Sequence, residues 1–281
     1  MPDFALITDS TAYIPQELID KYDIQVAPQV LIWGETSYLD GVDIQPDQFY
    51  KKLQESDVHP TTSQATVASF HNIFEPLVEK NIPILTIVLS EKLSGTLQSA
   101  EQAKAMFPDA AIKLIDSRTT AMAMGFQVLA AARARENGAS FEEASQIARD
   151  AQDRTGVFFV VDTLEYLHRG GRIGGASKLF GTALNIKPLL HINDGRVESF
   201  EKIRTKSKAI DHMLNVVAEK VEGEELVRIA ALHVAAEDEA SEVLKMAEER
   251  LNPDESMLAV VSPVVGNHAG PGTVGIVYAT I

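Results

Sequence analysis

The chain contains no cysteine. Disulfides, thiolate metal ligation and thiol nucleophiles are therefore excluded, and the usage fits a cytoplasmic setting. It also lacks any apolar run of the ~18 residues that a membrane-spanning helix needs, so no stable membrane insertion is expected. Basic residues are scarce: 25 Lys and Arg stand against 40 Asp and Glu, a formal net charge of −15. A surface of that sign repels nucleic acid and anionic lipid at long range, and no nucleic-acid partner is expected. Small anions stay open, because a loop or helix N-terminus can hold one against the overall charge. No basic segment precedes the first apolar run at residues 4–7, so no secretory signal is expected. Linkers, repeats and low-complexity tracts are missing too, which favours parts that pack tightly and share a cleft.

What is present is 281 residues, 45% of them hydrophobic, enough for one large or two ordinary domains. The first half alternates short apolar runs with amphipathic stretches. Strands are predicted at 4–8, 24–31, 84–89 and 112–115, and helices at 15–22, 46–56, 66–80, 95–106, 121–137 and 141–155. Asn137-Gly138 stops one helix, and Ser140 with Glu143 forms a capping box for the next. This alternation predicts a parallel sheet covered by helices, with ligands outside the carboxyl ends of its strands. The second half reads differently. Strands are predicted at 157–162, 189–192, 196–203, 226–235, 257–264 and 274–280, with helices near 176–184, 206–221 and 236–251. Asn193-Asp194-Gly195 signals a hairpin. The expected architecture is α/β in two domains: an N-terminal parallel-sheet α/β domain over 1–155 and a C-terminal α+β domain over 156–281. The second carries a mainly antiparallel sheet, and a ligand lies between the two.

Several hydroxyl-rich turns follow strands or precede helices: Thr8-Asp9-Ser10-Thr11, His59 to Gln64, Ser90 to Thr96, and Asp116 to Thr120. Any one of them suits helix capping. Together with a histidine inside the glycine run from Gly266 to Gly275, they could instead gather hydroxyls, N–H groups and an imidazole around a carboxylate or phosphate. That run contains a G-x-G-x-x-G string, but no helix or trailing acidic residue follows it, so it is not a dinucleotide fingerprint. It reads as a loop closed by a final strand. The segment Leu164 to Gly175 sets Arg169 and Arg172 among glycines, either as a helix cap and turn or as an arginine offered to an anion or a partner. The histidines show no H-E-x-x-H or similar spacing, so no metal site is expected. Ser94, Asp116 and His268 occur in the chain order of α/β-hydrolase triads, but Leu93-Ser94-Gly95 lacks the glycine-flanked nucleophile elbow.

As a set, these motifs resemble the DegV family, which includes the fatty-acid-binding subunits of bacterial fatty acid kinase. The matching segments are Thr8-Asp9-Ser10-Thr11-Ala12, Pro60-Thr61-Thr62-Ser63-Gln64, Leu93-Ser94-Gly95-Thr96, Gln98-Ser99-Ala100, Ile115-Asp116-Ser117, Gly170-Gly171-Arg172-Ile173, Lys187-Pro188 and Gly266 to Gly275. The resemblance implies a protein that buries one long-chain fatty acid between two domains, presents its carboxylate to a separate kinase for acyl-phosphate formation, and is no catalyst itself. By that likeness Thr62, Ser94 and His268 hold the carboxylate, with Ser63, Gly95 and Thr96 in a secondary pocket around it. Arg172 and, by a looser match, Arg204 serve the partner or the phosphoryl step. No catalytic residue, metal or cofactor is implied. The expected partners are a long-chain fatty acid and an ATP-dependent kinase subunit.

Burying a sixteen-carbon chain gains roughly 10 kcal/mol gross at about 0.8 kcal/mol per CH₂. Residues 158–161, Leu164 and 184–190 are apolar enough to line such a slot, although most of them also suit an ordinary core. Arg172, among its glycines, is expected to lie exposed and off the slot. The alternatives are an acyl hydrolase using Ser94 and His268, or a regulatory binder of another apolar carboxylate.

Overall fold

Short apolar runs bounded by polar turns become the strands of the first half. The structure, a computed structural model, describes residues 3–56, 58–181 and 186–281. The first half holds strands β1 (Ala5–Asp9), β2 (Ile24–Ala27), β3 (Val30–Trp33), β4 (Thr36–Leu39), β5 (Thr61–Ser63), β6 (Ile84–Val88) and β7 (Ile112–Asp116). Its helices are α1 (Gln16–Lys21), α2 (Pro46–Glu55), α3 (Val67–Glu79), α4 (Thr96–Lys104), α5 (Ala121–Glu136) and α6 (Phe141–Asp150). The strands β2-β1-β6-β7 form a four-stranded parallel sheet, and β4-β3-β5 form a small antiparallel one.

The single strand expected over 24–31 is two strands in two sheets. Pro28 lacks the N–H that a ladder needs, so the run breaks there, and Val30–Trp33 turns away to start the small sheet. The turn expected between two helices at 59–64 carries β5, a strand three residues long and therefore too short to show a period.

The second half holds β8 (Thr155–Val160), α7 (Glu165–Arg169), β9 (Lys187–Asn193), β10 (Arg196–Ile203), α8 (Lys206–Val221), β11 (Arg228–His233), α9 (Glu237–Leu251), β12 (Glu255–Val260), α10 (Pro263–Ala269) and β13 (Val274–Ala279). Its six strands run in the order β10-β9-β8-β13-β11-β12, antiparallel throughout except for the parallel pair β11 and β12. The hairpin read at Asn193 to Gly195 joins β9 to β10, with both Asp194 and Gly195 at positive φ. In place of a helix near 176–184 there is a 3-10 helix over Gly174–Leu179, and Leu184 lies outside the described residues.

Two expectations near the chain's end are also corrected. The strand expected over 257–264 stops at Val260, and the glycine-rich loop expected over 266–275 is helical as far as Ala269. Ser262 at the N-cap and Pro263 at the first helical position start α10 where the strand was expected to continue.

Helix α5 joins the two halves. Its sequence is apolar on every face, and Ala121 to Leu129 are all buried. It packs on β1 and β6 of the parallel sheet and on β8 and β13 of the six-stranded sheet. Gly125 permits the close approach on one side, since a Cβ there would stand 2.6 Å from the Ala12 carbonyl oxygen. Gln127, fully buried in the same helix, donates to the Ser117 carbonyl at 3.2 Å and to Thr155 Oγ1 at 3.0 Å. The hairpin tip adds a second clasp, where Ser90 Oγ donates to the Gly195 carbonyl at 2.9 Å and Lys92 pairs with Asp194 at 2.5 Å.

Candidate functional site

The pairing of β3 with β5 sets Thr62 opposite Leu31. Asn267 of α10 donates to the Pro60 carbonyl at 3.1 Å, holding the helix against the start of β5. One residue further, His268 Nε2 meets Thr62 Oγ1 at 2.7 Å. The other ring nitrogen, Nδ1, is buried with no hydrogen-bond partner. It faces Gly170, where a Cβ would come within 1.9 Å of it. The glycine after α7 therefore makes room for the imidazole. After that helix the amides of Gly171 and Arg172 close back on the His168 and Leu167 carbonyls, a C-cap of the kind expected there.

Arg172 is the correction at this site. It is half-buried and lines the same cavity as His268, with Nε donating to the Leu93 carbonyl at 3.0 Å and Nη1 to the Gly170 carbonyl at 2.7 Å. Its glycine neighbours wrap the side chain inward where they were expected to leave it exposed. Burial lowers its pKa, and its charge in turn acts on the histidine. Burial first and the Arg172 guanidinium second push His268 down to about 4, so the imidazole is neutral near pH 7.

Ser94 follows β6 in a turn closed by its own amide on the Ser90 carbonyl, and its Oγ lies 2.9 Å from Thr96 Oγ1. Thr62, Ser63, Ser94, Arg172 and His268 all line one cavity of about 110 Å³ between the halves. Thr96 is fully buried behind that wall, bonded to Gln29, and Gly95 caps α4 with the Gln64 side chain against it. Neither of the two lines the cavity. Arg204 is exposed in the turn between β10 and α8, also away from it.

The cavity walls are apolar, with contributions from Leu89 and Ala121 in the first half and from Leu232, Val261 and Val264 in the second. The strand alternation of β8 decides which of its residues take part. Val157 and Phe159 face the cavity, while Phe158 and Val160 face α8 and α9. Of the residues expected to line a slot, Phe159 does so. Val161, Leu164 and Leu190 pack in a separate cluster with Leu167, and Leu189 packs under α8. Sequence reasoning missed Gln29, Tyr13 and Thr120 as lining residues. Gln29 stands directly after the strand-breaking Pro28, a signal that could have marked it. No second half of a triad forms: Asp116 accepts from the Arg118 amide, and neither it nor Ser94 hydrogen-bonds to His268.

A family model described as that of uncharacterised DegV-family proteins matches residues 3–280. A DegV domain-containing protein of Clostridium perfringens is 40% identical over 278 residues, covering 98% of each chain. The solved structure of a Thermus thermophilus DegV family protein, described as binding fatty acid, matches with a TM-score of 0.93 at 32% identity, covering 100% of both chains. A stearic-acid-binding protein of Eubacterium ventriosum matches with a TM-score of 0.92 at 26% identity over 98% of each chain.

Proposed function

The chain belongs to the DegV family, and from that footing we propose that it binds one long-chain fatty acid in the cavity between its halves. The carboxylate lies against Thr62, Ser94 and His268, and it is presented to a separate ATP-dependent kinase for acyl-phosphate formation. The observation that carries the binding reading is an apolar cavity meeting a hydroxyl–imidazole pair with a guanidinium beside it. The fatty-acid ligands of the Thermus and Eubacterium proteins support it.

The chemistry is consistent with those residues. Hydroxyls of Thr62 and Ser94 can donate to a carboxylate, and Arg172 supplies the charge that makes a buried anion tolerable. The anion in turn favours a proton on His268, against the burial and the Arg172 charge that disfavour it. Without its hydrogen bonds the head-group would remain in water and the acyl chain would lose its anchor.

The presentation step rests on a different feature. The sequence has no G-K-[ST] phosphate-binding motif, and in this reading the nucleotide is held by another chain. A carboxylate oxygen then bonds to the γ-phosphorus as its bond to the departing ADP oxygen breaks.

Mass spectrometry of lipid extracted from the purified protein tests binding. The expected result is a single class of long-chain fatty acid, near one per chain. An empty extract, with no uptake of added palmitate, overturns the reading. Presentation is tested by mixing loaded protein with ATP and the kinase subunit of a DegV-dependent system, with hydroxylamine to trap acyl-phosphate as hydroxamate. Hydroxamate formed without this protein, or none with it, removes the presenting role and leaves the binding role standing.

A further inference from the structure

Helix α10 carries His268 next to its last residue, Ala269. The carbonyls at a helix end have no partner inside the helix and must find a donor elsewhere. Here a side chain supplies it. Thr273 Oγ1 donates to the Ala269 carbonyl at 2.9 Å and to the Gly270 carbonyl at 2.8 Å, its proton shared between the two. Thr273 is 4% exposed, and Ala269 and Gly270 are buried too. Among the described residues no other donor reaches either oxygen. Leaving buried acceptors unmade is costly, so this hydroxyl matters to the end of the helix.

The backbone of Thr273 belongs to the six-stranded sheet. Its carbonyl accepts from the Val234 amide at 2.9 Å, and the Gly272 amide donates to the Val234 carbonyl at 2.9 Å. The next residue, Val274, pairs with His233 of β11 and with Val160 of β8. From outside, Lys206 Nζ donates to the Gly272 carbonyl at 2.5 Å and to Glu239 at 2.6 Å. Thr273 therefore stands on a fixed backbone and reaches back to a helix end.

The connection between the two needs that hold. Gly270 and Gly272 sit at φ +81° and +79°, a region where glycine is admitted freely and other residues are strained. A Cβ at Gly270 would stand 2.3 Å from the Tyr166 ring, and one at Gly272 would stand 2.0 Å from the Asp162 carboxylate. Neither glycine can give way to a stiffer residue, so stiffness has to come from a side chain beside them.

We propose that Thr273 is a positioning residue for His268. The imidazole is held from both halves of the molecule. From the first half, Thr62 meets its Nε2 at 2.7 Å and the Pro60 carbonyl accepts from Asn267. From the second half, the Thr273 hydroxyl ties the last turn of α10 to the sheet and keeps it wound. The first-half contacts set where the helix lies, and Thr273 sets how far its end can open. Thr273 also lines the cavity, but its proton is engaged by the two carbonyls and is not offered to a head-group. The effect on ligand rests on the fatty-acid reading, whereas the hold on the histidine does not.

The test compares Thr273→Val, which keeps the shape and loses the hydroxyl, with Thr273→Ser, which keeps the hydroxyl. The His268 ring is titrated by NMR in unliganded protein, and palmitate affinity is read by displacement of a fluorescent fatty acid. In Thr273→Val the last turn opens to water, and the histidine should titrate above its value of about 4, toward the ordinary 6.5. Palmitate should bind about fivefold more weakly. Thr273→Ser should restore both. A wall residue without the positioning role would lower stability in urea and leave the titration where it was. An unmoved histidine therefore overturns the proposal whatever happens to palmitate, and so does a serine variant that behaves like the valine one. Should Thr273→Val not fold, Thr273→Ala gives the same comparison. A moved histidine with palmitate affinity unchanged supports the positioning and takes His268 out of the head-group site. A parent protein that binds no palmitate fails the fatty-acid reading, and the titration still decides on Thr273.

Discussion

Thr62 Oγ1 and His268 Nε2 meet at 2.7 Å although 206 positions separate them. The contact joins the small antiparallel sheet to the helix that follows β12, so it closes the cavity wall and positions its imidazole at once. Thr62→Val keeps the side-chain shape and removes the hydroxyl. Fatty-acid affinity is expected to fall by about 1 kcal/mol or more. Displacement of a fluorescent fatty acid measures this, and an unchanged dissociation constant would take Thr62 out of the head-group site.

His268 also couples folding to pH. The unfolded chain takes up this proton near 6.5, its ordinary value, and the folded chain only near 4. Between those values the unfolded state holds more protons, so stability is full at neutral pH and falls on acidification through this window, by up to about 3 kcal/mol. Asp40, raised from 3.8 to about 6, acts in the opposite sense over much of the same range. The informative quantity is therefore the difference between parent and His268→Gln in urea unfolding at pH 7 and pH 5. The variant should lose less stability than the parent on acidification, and parallel losses would contradict the assignment.

Arg172→Ala removes the cation that helps hold His268 neutral. The histidine should then titrate closer to its ordinary value, read from its ring signals by NMR. The same variant should bind fatty acid more weakly, since the carboxylate loses a charge partner inside the cavity. Weaker binding together with an unmoved histidine would place Arg172 in the fold and not in the electrostatics of the site.

Phe158 and Phe159 are neighbours with opposite duties. Phe158→Ala leaves a hole under α8 and should cost about 3–5 kcal/mol of stability with the cavity intact. Phe159→Ala enlarges the cavity and should shift preference toward bulkier or longer acyl chains at a smaller cost in stability. Thermal unfolding and a chain-length series of fatty acids separate the two. Equal effects on both readouts would mean that the alternation along β8 does not sort them.

Gly125→Ala would place a methyl 2.6 Å from the Ala12 carbonyl oxygen and 2.8 Å from Met122 Sδ. Alanine ordinarily favours a helix over glycine by about 1 kcal/mol. Here the clash should win, with a net loss of about 1–3 kcal/mol in urea unfolding. A stabilised variant would show that α5 has more room against the first turn than its packing implies.

Long periodic stretches were legible in the sequence. Helices such as Phe141–Asp150, with its capping box at Ser140, and strands such as Ile84–Val88 declare themselves through spacing and boundaries. The small sheet was not legible, because β3, β4 and β5 are only 4, 4 and 3 residues long. Helix α10 was hidden because Gly266 and the glycines after it read as a loop, and only Ser262 and Pro263 mark its start. Thr62, Ser94 and His268 were singled out as a set of motifs, and their convergence on one cavity is what spacing alone does not show. Arg172 was misread because composition reports what surrounds a residue in sequence, whereas its burial depends on Leu93 and Gly170 folding over it.

Strand β13 is formed after β11 and β12 in the chain, yet it lies between β8 and β11 in the sheet. Until it is made, the β8-β9-β10 layer and the β11–β12 pair are two fragments with raw inner edges, and Val157, Ile229 and Ala231 lack their β13 neighbours Val277, Tyr278 and Ile276. A chain that has not yet formed β13 thus exposes two open ladder edges, which invite pairing with other chains. Thr273 and Gly275 also complete the cavity wall. The cavity wall is therefore closed only once β13 has paired with β8 and β11.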